Sequence, residues 1–156
     1  MSTGDGPTTL ATVNRLISAA RRGEEQNLNT YGIYSDITTH GGLRNLLSSM
    51  SANISDHLAK LEHLERTVSE ANFDRNKVAS LSIPDHEVEY AFDASMEYKD
   101  FLREIHRREE AVVTLYDTLA SISSDDEVRF YFERMAEDGR KHMWLAKDRS
   151  DLEALL

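Results

Sequence analysis

RRGEEQNLNTY, residues 21–31, returns in altered form as HRREEAVVTLY at residues 106–116, 85 positions later. The same shift carries Leu16 and Ile17 onto Phe101 and Leu102, Met50 onto Met135, and His57 onto His142. One gap-free offset therefore aligns two long segments and the turn between them. Self-similarity of that kind predicts a duplicated structural unit. Each copy carries one Glu and one His 33 residues further on: Glu24 with His57, and Glu109 with His142.

Around these stretches the apolar residues recur with helical period. Leu10, Ile17, Glu24 and Tyr31 form one seven-residue series, joined by Val13, Ala20 and Tyr34. THGG, residues 39–42, is read as the break that ends this helix. The second helix carries Leu43, Leu47, Met50, Ile54, His57, Leu61 and Leu64 on one face. A third presents Tyr98, Leu102, Ile105, Glu109, Val112, Tyr116 and Leu119. Ser124, followed three residues later by Glu127, predicts a capping box that opens a fourth. This last helix directs Val128, Phe132, Met135, Gly139, His142 and Leu145 inward.

Residues 72–94 mix Asn, Asp and Ser with Pro84 and Asp85, and are read as a long connection. Residues 1–9 are read as a disordered tail. The prediction is an all-α chain with one domain over residues 10–156. Its hairpins span about 10–71 and 95–152, joined by a crossover at 72–94. Two short loops and one long crossover define a ferritin-like four-helix bundle; a plain up-down bundle has short connections throughout.

Composition narrows the function. The 156 residues suit a single core. The chain has no cysteine, which excludes disulfides, thiolate catalysis and Cys-bound metals. A net charge of −10 without a basic stripe argues against nucleic acid as a partner. MSTGDGPTTLATVNRL at the start has no secretory pattern, and no apolar run reaches the ~18 residues of a membrane span. A cytoplasmic protein without membrane contact is the expectation.

Glu24 and Glu109 continue apolar stripes and should point inward. A lone charge in a core costs several kcal/mol unless it is paired or coordinates a metal. Two carboxylates and two imidazoles meeting by approximate twofold symmetry would make a metal cage.

On these residues the chain resembles the rubrerythrin-related branch of the ferritin-like superfamily, over roughly residues 10–150. That family places a Glu on helices one and three and Glu-x-x-His on helices two and four. Glu24 and Glu109 match the first pair, and His57 and His142 match the histidines of the second. The two Glu-x-x-His carboxylates fall at positions occupied here by Ile54 and Gly139.

The resemblance thus implies a degenerate dinuclear site. Two divalent ions would face only two Glu charges, so a reduced site for one Fe, Zn or Mn ion is favoured, with Glu24, His57, Glu109 and His142 as its metal ligands. Asp56 points about 100° away from His57. Asp138 is one turn from His142 and is a weak candidate to bend inward past Gly139. Tyr31 and Tyr116 are placed to hydrogen-bond the carboxylates.

A redox or oxidative-stress role would use oxygen or peroxide and an external electron donor, because no Cys-bound rubredoxin iron can form. The competing reading is a metal-free, non-catalytic helical scaffold or dimerisation protein. In it the Glu/His network stays buried and Ile54 fills space left by Gly139. Catalysis stays open between the two.

Met50 and Met135 read as core, and His40, His63, His86 and His106 as surface. Trp144 and the Phe130-Tyr131-Phe132 run exceed what one stripe can bury, and predict a homodimer face.

Overall fold

Four runs of helical periodicity become four long helices. The computed structural model describes residues 8–81 and 95–154, and the chain there forms α1 (Thr9–Ile37), α2 (Gly41–Thr67), α3 (Arg75–Ala79), α4 (Tyr98–Ile122) and α5 (Asp126–Ala154). A 3-10 turn, Glu70–Asn72, precedes α3. Among the described residues there is no strand, only an isolated antiparallel bridge between Phe73 and Ser123. No helix of the described residues is long and apolar enough to cross a membrane.

Local chemistry sets the boundaries. The Thr8 hydroxyl accepts from the Ala11 N–H and opens α1. α1 stops at Ile37, and Thr38–His40 make the turn, so Gly41 and Gly42 belong to the first turn of α2 instead of the break. Arg44 of α2 reaches back and donates to the Thr38 carbonyl at 2.6 Å and the Ser35 carbonyl at 3.2 Å. Those carbonyls are among the unpaired acceptors every helix end leaves. At the α4–α5 turn Arg129 donates to the Ser123 carbonyl at 2.8 Å. Arg129 and Ser123 lie 85 positions after Arg44 and Thr38. Both turns are closed by the same device.

Two expectations change here. α5 is capped by Asp125, whose Oδ1 accepts from the Val128 N–H at 3.0 Å, while the Ser124 hydroxyl donates to the Ala71 carbonyl. The stretch read as a long connection from residue 72 includes the short helix α3, capped by Asp74 through the N–H groups of Asn76 and Lys77. Pro84 and Asp85, like residues 1–7 of the predicted tail, lie outside the described residues.

α1 packs on α2 and α4, and α5 packs on α4 and α2. The core divides into two apolar clusters. One includes Val13, Ile17, Leu61, Val112, Phe132 and Met135; the other includes Tyr31, Leu47, Met50, Ile54, Phe101 and Ile105. On every long helix the passage from one cluster to the other crosses one of Glu24, His57, Glu109 or His142. A polar layer separates two apolar ones.

A candidate functional site between two apolar layers

The structure brings the four predicted side chains together as two pairs. Glu24 of α1 and His57 of α2 meet at 2.6 Å through Oε2 and Nδ1. Glu109 of α4 and His142 of α5 meet at 2.9 Å through Oε1 and Nδ1. All four are buried, with at most 2% of each exposed. Both bonds join helices of the same hairpin.

Bonds between the hairpins complete the network. The Tyr116 hydroxyl of α4 donates to Glu24 Oε2 at 2.9 Å, and the Tyr31 hydroxyl of α1 donates to Glu109 Oε1 at 3.4 Å. The tyrosines serve the carboxylates as expected, each acting on the Glu of the other half. Tyr116 also packs edge-on against the His57 ring, 5.9 Å between centroids.

The outer ring nitrogens are held too. His57 Nε2 lies 2.9 Å from Asp138 Oδ2 of α5, and His142 Nε2 lies 3.1 Å from Asn53 Nδ2 of α2. Asp138 does bend inward, toward His57. Asp56 is exposed, as its position beside His57 requires. Asn53 was missed in the sequence, although it stands 85 positions before Asp138.

Gly139 has a packing role. A Cβ built on it would lie 2.5 Å from Val113 Cγ2, so Val113 of α4 occupies the space beside this backbone. Ile54 belongs to the other apolar cluster. The volume at Gly139 is thus taken by Val113, where Ile54 had been the expected filler.

Electrostatics divide the halves. Burial pulls His57 down, but the hydrogen bonds and charges of Glu24 and Asp138 outweigh it and leave the imidazole above its ordinary pKa. Burial lifts the Glu109 carboxyl above the usual range, with the His142 hydrogen bond offsetting only part of that. Burial, then the neighbouring carboxylates, push Tyr31 and Tyr116 well up, so both remain hydroxyl donors.

One buried charge escaped notice. Arg108, adjacent to Glu109, stands in a run of charged residues, yet it is fully buried. Its Nε donates to Glu104 at 3.1 Å and its Nη1 approaches the Asn27 oxygen at 3.5 Å. Position 23, 85 residues earlier, is Gly, so the repeat gave no warning.

A metal cage needs three or more donors converging on one point. Here each imidazole spends Nδ1 on a carboxylate and Nε2 on a second side chain. Among the described residues no three His, Asp or Glu side chains are grouped to hold an ion. As arranged, the four residues do not fit the single-ion site that the resemblance implied.

The remaining residues stay outside the centre. Met50 and Met135 are core, His63 is exposed, and His40 stacks on Tyr98 at the surface. His106 faces Glu110 at the surface, and His86 lies outside the described residues. Phe132 is buried, whereas Phe130 and Trp144 are exposed by 56% and 61%. The chain matches no family model, no curated protein and no solved structure.

Proposed function

We propose that this chain is a ferritin-like, internally duplicated helical bundle related to the rubrerythrins, acting as a non-catalytic scaffold that pairs with a second copy of itself. The observation that carries this reading is the closed centre. Both nitrogens of both buried histidines are bonded to the protein, and Glu24 and Glu109, the partners of their Nδ1 atoms, are only 1% exposed. A substrate would find both glutamates and both imidazoles already engaged with one another or with neighbouring side chains.

The matching turns support duplication. Arg44 on Thr38 and Arg129 on Ser123 repeat at the offset that relates Glu24 to Glu109 and His57 to His142. Four hydrogen bonds between hairpins, from Tyr31, Tyr116, Asn53 and Asp138, hold the two units in register. Buried polar contacts can serve that specifying role at some cost in stability.

The outer face of α5 supports self-pairing. Phe130, Trp144 and Leu152 are exposed along it, with Arg134, Glu137 and Lys141 between them. An antiparallel, twofold arrangement sets Glu137 against Lys141 of the second copy and Arg134 against its Trp144, an ion pair and a cation–π contact. From Phe130 to Leu152 a helix runs about 33 Å. A single helix face of this length is narrow beside the ~800 Å² per partner of a standard interface, so the dimer should be weak and concentration-dependent.

Sedimentation equilibrium across a concentration series tests this. The expected result is a monomer–dimer equilibrium that Trp144→Asp shifts to monomer with unchanged helicity. A monomer at every concentration, or one equivalent of metal retained by the purified chain, would overturn the reading.

A further inference from the structure

α1 and α4 meet in two contacts that the 85-residue offset interchanges, and they differ in kind. A Cβ built on Gly23 of α1 would lie 3.1 Å from Val112 Cγ2 of α4. Exchanging the halves turns Gly23 into Arg108 and Val112 into Asn27. These two also meet, Arg108 Nη1 standing 3.5 Å from Asn27 Oδ1. The first contact shows that small and apolar side chains satisfy the packing of α1 on α4. The second buries an amide and a guanidinium in the same setting, each 0% exposed.

We infer that this second contact is a binding site for a small monovalent anion of chloride size, held by the Asn27 amide beside the Arg108 guanidinium. The inference is independent of self-pairing and of the Glu/His centre.

The amide points to a ligand. Asn27 Nδ2 is buried and has no hydrogen-bond partner among the described residues. Its orientation is set by Arg108, because turning the amide over would place its NH₂ group against the guanidinium, donor facing donor. The orphan is therefore a donor inside the core, and such a group is costly to bury unless an acceptor meets it.

Charge and enclosure select the acceptor. Arg108 donates through Nε to Glu104, which also takes hydrogen bonds from Arg107. Burial nevertheless holds the Arg108 guanidinium below its ordinary pKa, so a further negative charge at this contact stabilises it. A water molecule would bring two more donors to a place where a donor already lacks a partner, whereas an anion only accepts. Both side chains are closed off from solvent, which suits a single ion and no larger ligand.

Urea unfolding of the full-length chain at fixed ionic strength, with gluconate replaced stepwise by chloride, tests this. Above the dissociation constant, each tenfold rise in free chloride should raise the folding equilibrium constant about tenfold. Asn27→Leu removes the donor, and Asn27→Asp supplies the negative charge from the chain itself. Both should lose the chloride dependence, and because they act by opposite routes either one serves if the other folds poorly. A folding equilibrium equal in chloride and gluconate, or a chloride dependence that persists in a folded Asn27 variant, would refute the assignment.

Discussion

Gly139 of α5 and Val113 of α4 are in contact, backbone to side chain: a Cβ on Gly139 would lie 2.5 Å from Val113 Cγ2. The glycine permits α5 to approach α4 this closely, which offsets its poor helix propensity of about 1 kcal/mol relative to Ala. Gly139→Ala should therefore destabilise the chain despite better propensity. Overpacking of about 1–3 kcal/mol exceeds the propensity gain. Urea unfolding should show a lower midpoint, and Val113→Ala in the same chain should restore part of it. A midpoint that rises in the single variant would show that Val113 moves aside freely.

The same contact decides what happens when carboxylates are introduced at positions 54 and 139. Ile54→Glu with Gly139→Glu would place a carboxylate three residues before each of His57 and His142, but position 139 has no room for a side chain while Val113 stands there. The double variant should lose thermal stability and gain no iron. Adding Val113→Gly is expected to be necessary before iron uptake rises. Iron bound by the double variant alone would show that the α4–α5 spacing relaxes more readily than this packing implies.

Much of this arrangement was legible in the sequence because the helical period and the 85-residue offset are both strong signals. They placed Glu24, His57, Glu109 and His142 inward, and all four are buried together. The turns were harder. THGG looked like a break because Gly is read as punctuation, yet Arg44 closes the end of α1 three residues earlier, over Thr38. Asp138 and Asn53 were less legible because each stands beside the apolar stripe of its helix and not on it. Their contacts lie across the bundle, and no spacing within one helix reports them. Arg108 resembles any surface arginine in a charged run, and only the packing of α1 against α4 buries it.

Glu24 holds two donors at short range, His57 at 2.6 Å and Tyr116 at 2.9 Å. Removing its carboxylate leaves the buried imidazole with only Asp138, and Glu24→Ala should cost about 3–5 kcal/mol, typical of a buried pair broken on one side. The tyrosines should differ. Tyr116→Phe removes a good hydrogen bond to a buried carboxylate, for about 1.5–3 kcal/mol, whereas Tyr31→Phe removes a contact at 3.4 Å and should cost less. Denaturant titrations of the three variants check the order. Equal losses at Tyr31 and Tyr116 would contradict the asymmetry of the centre.

The pH dependence follows from two raised pKa values. For His57, the native ring binds its proton more tightly than the unfolded chain does. The resulting stabilisation is complete below the ordinary histidine value of about 6.5 and is lost as pH climbs through the raised value. For Glu109, burial holds the acid form, so stability again falls as pH rises above the ordinary carboxyl range. Both contributions have the same sign. The urea midpoint should fall between pH 6 and pH 9, and Asp138→Asn should flatten that fall by removing one of the groups that raise His57. A midpoint rising over this interval would show that the native state does not hold His57 in its charged form.

Arg108 gives the last test. Its side chain is fully buried and tied to Glu104, and burial holds its guanidinium below the ordinary pKa. The hydrocarbon stem fills core volume while the head meets Glu104 and Asn27, so truncation removes packing and charge together. Arg108→Ala should lose more stability than Arg108→Met, which keeps most of the stem's volume. The charge itself has a cost, because taking a guanidinium out of water is only partly repaid by a carboxylate such as Glu104 that is itself near the surface. Arg108→Met combined with Glu104→Gln should then approach the stability of the unaltered chain, since neither partner is left charged and alone. Thermal unfolding of the four chains separates the effects. If Met at position 108 is as damaging as Ala, and Glu104→Gln restores nothing, Arg108 acts through its guanidinium and not through the volume it fills.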